Sequence, residues 1–423
     1  MTKLHLVKVG CTILIATFSF PSYAISIEQA WQKAKQSDPN YEKVKIDVRR
    51  SEVKVDAIRR SFQPSLSATI SASWRESFSN TNGYGASLSQ TIWDSSLWSD
   101  LDQANSNYIK TKLLLVQSRN ELARRLLSSY LDVASAQSDL QLAQSKLEED
   151  GKLLKIIEKR YLAGKVKSVD VEEIRATQVA DKLSILSTRS DLEIKRTTLA
   201  ALINQIPLSV NQIRIDSLIQ PIMMADTQEQ WLKLAKDSSP ELLEAIQNIK
   251  ASEFAKDSAR GGYYPTVKGH VNYNNDDRRK NGEFNAGITL HMPIDLNGAT
   301  QARVEEASLN ILSAKQDLRK VEIDIQKRVI QQFTQVVINW NQVLMTNKLV
   351  ISREKVLRNK EKLYDAGLLE ISEVISAHNS LFIAKNDLQN NLYNYWRQHI
   401  DLLQTAGKLD DDAIALISRA FNS

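Results

Sequence analysis

Two stretches of this chain run for unusual distances without a glycine or a proline: residues 86–150 and residues 299–366. Both are rich in Leu, Ala, Gln, Lys and Glu, residues that lose little freedom on entering a helix. Each is expected to be one continuous helix. From about residue 97 to 162, a rise of 1.5 Å per residue gives a rod of roughly 100 Å. No compact domain of this size buries such a rod end to end, so an extended helical shaft is required. Only 13 Gly and 8 Pro occur in 423 residues, which fits a chain with few breaks. With 42% apolar and 25% charged residues and a mean hydropathy of -0.33, both a polytopic helical membrane protein and a disordered chain are excluded.

Along the first long stretch, Val133, Ala136, Leu140, Ala143, Leu147, Leu154, Ile157 and Tyr161 step by three and four, with one place missed near Asp150. Such a seam predicts partner helices lying alongside. Gly164 and Gly367 end the two long helices, and second helices are expected over about 168–204 and 370–406, giving an antiparallel helical hairpin twice.

The chain is a tandem duplication. Pro39 pairs with Pro240, Arg59 with Arg260, Pro64 with Pro265 and Asp94 with Asp295, each 201 residues apart (240 minus 39). Further on, Tyr161-x-x-Gly164 matches Tyr364-x-x-Gly367, and Asp170-Val171 matches Glu373-Val374, at 203 (364 minus 161). Each half reads as an amphipathic helical stretch (about 27–59 and 228–258), then a short β section, then the long hairpin. The expected organisation is a leader at 1–24, a first repeat at 25–212 and a second at 213–423, with 205–227 as linker.

In the β section of the first half, Leu66, Ala68, Ile70, Ala72 and Trp74 alternate, a Ser/Asn/Gly turn is expected at 79–83, and Tyr84, Ala86 and Leu88 lead on to Trp93. The second half offers Val267–Asn274, a polar turn at 275–283, then Phe284, Ala286, Ile288, Leu290 and Met292. A strand from Phe62 to Trp74 spans roughly 40 Å, which when tilted matches a bilayer core. Aromatic residues near the strand ends sit where interfacial girdles would lie. On pattern alone, membrane staves and a soluble four-stranded sheet both fit. If the strands span, four cannot close a barrel, and open edges are not tolerated in lipid, so copies must associate.

Residues 1–24 have the form of a secretory leader: Lys3 and Lys8, an apolar run from Val9 to Phe20, and Ser22-Tyr23-Ala24, with cleavage expected after Ala24. The apolar run is too short to span a membrane as a helix. The one cysteine, Cys11, lies in it, so the mature chain has no thiol for a disulfide, metal or nucleophile. Without Lys3 and Lys8 the net charge falls from +5 to +3, too little to suggest nucleic acid. His270, His291, His378 and His399 show no metal-ligand spacing, and no phosphate loop or nucleophile elbow occurs. Glu148-Glu149-Asp150 reads as a solvated helix face. No catalytic, cofactor-binding or metal-ligating residue is nominated.

The tandem halves, the strand pairs after Pro64 and Pro265, and the two Tyr-x-x-Gly hairpin signatures together resemble the TolC-type outer-membrane efflux proteins, over essentially the whole mature chain. The resemblance implies a fold that is mainly α with a small β part: long helical hairpins forming a periplasmic α-barrel, and four strands per chain contributing to a trimeric, twelve-stranded β-barrel in the Gram-negative outer membrane. It implies a passive exit duct for efflux or type I secretion, needing no cofactor. Its partners would be a periplasmic adaptor protein, an inner-membrane transporter and outer-membrane lipid. It places Asp170, Tyr364 and Glu373 at the periplasmic gate, and Tyr161, Gly164, Lys165, Gly367 and Leu368 at the adaptor-docking tips. From the residues alone, Tyr161 and Tyr364 serve equally well as packing, and the two glycines as helix stops. Leu369 stands where the typified member has an arginine, and Ser376 replaces a further acid, so the same salt-bridge lock cannot form. A Tyr364–Asp170 hydrogen bond, or Lys165 and Lys167 as cationic partners, would be substitutes. The rival reading is a soluble periplasmic coiled-coil scaffold.

Overall fold

The computed structural model describes residues 24–75, 78–213, 221, 223–277 and 281–422, so all of the expected leader but Ala24 lies outside it. Two helices dominate: α3, Ser95–Leu162 with 68 residues, and α7, Ala299–Asp365 with 67. The duplicated aspartates explain where they start. Asp94 Oδ1 accepts from the backbone N–H groups of Ser96 and Leu97 (3.0 and 3.3 Å), and the Asp295 carboxylate accepts from Thr300 and Gln301 (3.2 and 3.0 Å). Both satisfy donors that the first helical turn leaves unpaired. At the far ends, Gly164 and Gly367 take left-handed φ of 71° and 73°. Lys165 N–H then reaches back to Arg160 O (2.8 Å), and Leu368 N–H to Leu363 O (2.9 Å), closing each helix. The chain turns into α4 (Ser168–Ile203) and α8 (Ile371–Thr405), within a residue or two of the expected spans.

The stretches expected as single helices at 27–59 and 228–258 are each broken. α1 (Ile27–Ser37) gives way to α2 (Pro39–Arg60), and α5 (Gln228–Ser238) to α6 (Pro240–Gly261). Pro39 and Pro240 cannot supply the N–H a continuing helix needs, but they suit the first position of a new one. Asp38, extended at ψ 116°, closes α1 and caps α2 by accepting from Tyr41 N–H at 2.7 Å.

α3 packs on α2 and α6 over the half nearer the strands and on α4 and α8 over the other half, while α7 pairs with α6 and then α8. Of the predicted seam, Val133, Ala136, Ala143 and Ile157 are buried and Leu140, Leu147 and Leu154 half-buried. Asp150, in the missed place, is also buried, so only its neighbours Glu148 and Glu149 belong to a solvated face.

At mid-shaft, α1, α5 and the short α9 (Asp411–Asn422) gather around the core of Trp31, Tyr130, Trp231, Tyr395 and Trp396. The connection after α4 is strapped to this girdle. Gln137 bonds Val210 at both N–H (2.9 Å) and C=O (3.1 Å), and Tyr130 Oη donates to Ile25 O (2.8 Å) while accepting from Asn211 N–H (2.9 Å). Trp31 Nε1 donates to Asp411 at 2.6 Å, tying α1 to α9.

Four strands, β1 (Ser65–Arg75), β2 (Phe78–Trp93), β3 (Thr266–Asp276) and β4 (Glu283–His291), form an antiparallel sheet in chain order. The first turn is not at 79–83. Thr81 pairs with Ser73 and Phe78 with Arg75, so residues expected in the turn are strand. Residues 82 and 83 look turn-forming locally, but pairing with β1 on one side, and for Gly83 with Asp276 of β3 on the other, holds them extended. No helix among the described residues is long and apolar enough to cross a membrane.

Candidate functional site

The register of the sheet sorts its side chains. One row across the four strands reads Leu66–Leu88–Val271–Ala286, the next Ser67–Ser87–Asn272–Asn285, the next Ala68–Ala86–Tyr273–Phe284, and the next Thr69–Gly85–Asn274–Glu283. Successive rows point to opposite faces. One face is therefore aliphatic and aromatic, the other hydroxyl, amide and charged, with Ser87 Oγ bonded to Asn272 Oδ1 at 2.6 Å. Among the described residues none covers the apolar face: Ile70 is 90% exposed and Ile288 74%. Among the described residues β1 pairs only with β2, and β4 only with β3, leaving both edges of the sheet open. An 11-residue strand spans about 36 Å, and tilted near 45° it matches the roughly 25 Å apolar band of outer-membrane barrels.

The second site is the pair of hairpin tips. The structure brings Tyr364 and its neighbours against the first hairpin, but not through Asp170. Asp170 Oδ2 accepts from the backbone N–H of Lys167 (2.9 Å) and so caps α4. Glu373 pairs within its own hairpin, with Lys360 at 2.6 Å. Tyr364 is buried, and its hydroxyl has no hydrogen-bond partner. What crosses between the hairpins is Arg160: its guanidinium lies 4.6 Å from the Tyr364 ring centre and 2.6 Å from Asp365 Oδ1. The contact between the hairpins at this level is thus made by an arginine of the first hairpin. Neither Lys165 nor Lys167 forms an ion pair among the described residues, and Leu369 packs against the core.

Among the tip residues, Tyr161, Gly164, Lys165, Gly367 and Leu368 are all exposed, Leu368 at 74%. Leu162, at 85%, is exposed beside them, though no sequence signal marks it. The signal for Arg160 and Asp365 was present in the duplication as a mismatch. At the 203-residue offset Arg160 faces Leu363, and Asp365 faces Leu162, so the charge pair sits where the halves differ.

The family model described as "Outer membrane efflux protein" matches residues 30–205 and 231–408, once in each half. The chain belongs to this family. It is similar to the outer membrane protein TolC of Escherichia coli K12, 22% identical over all of this chain and 90% of that protein. It is also similar to the proteases secretion protein PrtF of Dickeya chrysanthemi, 19% identical over 97% of this chain and 94% of that one. In fold it resembles the outer membrane protein VceC of Vibrio cholerae, with a TM-score of 0.75 at 15% identity over 90% of this chain and 96% of that one. The chain is thus an efflux-family protein of the Gram-negative outer membrane with a periplasmic helical extension. A soluble scaffold is not favoured.

Proposed function

We propose that three copies join their open β edges into one twelve-stranded barrel and act as the exit duct of a tripartite efflux or type I secretion system. The apolar rows face lipid and the polar rows line the pore, while α3, α4, α7 and α8 continue the wall as a tunnel across the periplasm. The observation that carries this is the two-faced, open-edged sheet: an uncovered apolar face needs lipid, and unpaired edges in lipid need neighbours. Likeness to a secretion protein such as PrtF supports the secretion branch.

The duct does no chemistry of its own. The tips, held together by Arg160, open when Tyr161, Leu162, Gly164, Lys165, Gly367 and Leu368 dock on a periplasmic adaptor. That adaptor connects them to an inner-membrane transporter, which supplies the energy. Asp170 and Glu373 hold the first turns of α4 and α8 so that the tips keep their shape, and Tyr364 supplies the ring on which Arg160 rests.

The absence of cysteine from the mature chain provides the test. Single cysteines at Ile70 and Ile288 should react only with lipid-soluble reagents in intact outer membranes. Cysteines at Ser87 and Asn272 should react with small water-soluble thiosulfonates and reduce single-channel conductance. Water-soluble labelling of both sets alike would reject the barrel.

A further inference from the structure

About 18 Å above the tips (Asp150 lies 12 residues before Leu162), a second cross-link joins the two halves, and it is buried. Lys146 and Asp150 come from α3, Asp181 from α4 and His378 from α8. Lys146 Nζ lies 2.9 Å from Asp150 and also bonds Asp181, and His378 Nδ1 lies 3.0 Å from the other Asp150 oxygen. The side chains of Asp150, Asp181, Lys146 and His378 are 3, 7, 10 and 13% exposed. Glu149, on the rim, is 3.1 Å from His378 Nε2. The Phe382 ring of α8 closes over Lys146, and further along α8 Lys385 is paired with Glu354 of α7 at 3.5 Å.

The charges decide what this cluster can do. Two buried carboxylates face one lysine, and Asp181 Oδ2 has no hydrogen-bond partner. With both carboxylates ionised the set is neutral when His378 carries a proton; with a neutral His378 one buried carboxylate is unmatched unless Asp181 itself takes the proton, a costly arrangement either way. We propose that Lys146, Asp150, Asp181 and His378 form a proton-operated latch between the two hairpins, holding the tips together when His378 is protonated and loosening when it is not.

The titrations agree in sign. Asp150 beside it raises the His378 pKa above the usual histidine value, against burial. Burial pushes the Asp181 carboxyl up, so it too favours holding a proton. Burial acts likewise on Asp150, but His378 and Lys146 outweigh it and hold that carboxyl at about 2. A histidine raised in this way stabilises the contact fully below its unfolded value near 6.5, and the contribution is lost as pH rises through the folded value.

The latch rests on the duct reading, so its test uses two readouts on the full chain. The first is resting open probability in planar bilayers between about pH 5.5 and 8.5. The second is the spin-label distance between cysteines at Leu162 and Leu368, which needs no conduction. In the wild type the open probability should rise several-fold across that range, with the tip distance widening. His378→Gln should be open and flat with pH. His378→Gln with Asp181→Asn, neutral again without a proton, should be closed and flat. A pH step surviving in His378→Gln, or a double variant as open as the single, would overturn the latch. If no variant conducts, the duct reading fails, and the distances alone then decide: widening with pH that is lost in His378→Gln supports the latch, and an unchanging distance rejects it.

Discussion

Replacing Arg160 by alanine should leave the periplasmic tips partly open at rest, and the size of the effect follows from the geometry. The Arg160–Asp365 contact is short, at 2.6 Å, but the side chains are 28% and 67% exposed, so water and salt screen it and it contributes no more than about 1 kcal/mol. Stacking on Tyr364, whose ring is buried, contributes about 1 kcal/mol more. Each protomer would then lose about 1–2 kcal/mol of closure, and three opening together about 3–6, which raises the open-to-closed ratio by roughly 10²–10⁴. Single-channel recording in planar bilayers measures that ratio directly. Two controls separate the contributions. Tyr364→Phe should behave as wild type, because the lost hydroxyl bonds nothing, whereas Tyr364→Ala should open. Arg160→Lys should fall between, keeping charge without the planar stack. Raising salt should open the wild type slightly and Arg160→Ala hardly at all. An Arg160→Ala channel as tightly shut as wild type, or Tyr364→Phe opening as far as Arg160→Ala, would refute the clasp.

Gly407→Ala should destabilise by about 2–4 kcal/mol, since its φ of 70° is left-handed and a Cβ would lie 2.3 Å from Ser238 O; Gly164→Ala, with open space around it, should cost about 1. Urea unfolding of the detergent-solubilised protein would check the pair, and equal costs would contradict the close approach. Asp38→Ala removes both the cap on Tyr41 N–H and the 2.9 Å pair with Arg125, and should lower stability by about 2–3 kcal/mol in the same assay. His399, packed against Tyr395 and Trp396 with neither ring nitrogen bonded, is pushed down by burial to about 4. The unfolded chain therefore takes up this proton first as pH falls below about 6.5, and stability is lost from there down to about 4, by about 3 kcal/mol in all. His399→Phe should flatten that part of the melting-temperature profile against pH.

The helix stops were legible because their signal is local: Gly164 and Gly367 act on backbone groups a few residues away, whereas Asp94 and Asp295 stood out only as a repeated pair and not as caps. The strand alternation was legible for the same reason. The break at Asp38 was not read, because a proline inside a helical pattern equally permits a new helix to begin. The turn at 79–83 was misplaced since strand pairing, not local preference, sets the reversal. Asp150 looked solvated because His378, which lies against it, is 228 residues away (378 minus 150), and Asp181, which shares Lys146 with it, is on another helix. Arg160 carries no signal in the likeness of the two halves, because the clasp occupies positions where they differ.

The girdle around Tyr130 also sets a lever. From Tyr130 to Leu162 the rod is 32 residues (162 minus 130), or about 48 Å, strapped to the girdle at its upper end and clasped to the other hairpin lower down at Asp150 and Arg160. Once the two lower clasps release, a bend of about 10° at that point carries the tip some 8 Å sideways while the part above stays in place. A modest push from below is thereby amplified into a wide aperture, and the membrane-embedded cylinder need not feel it.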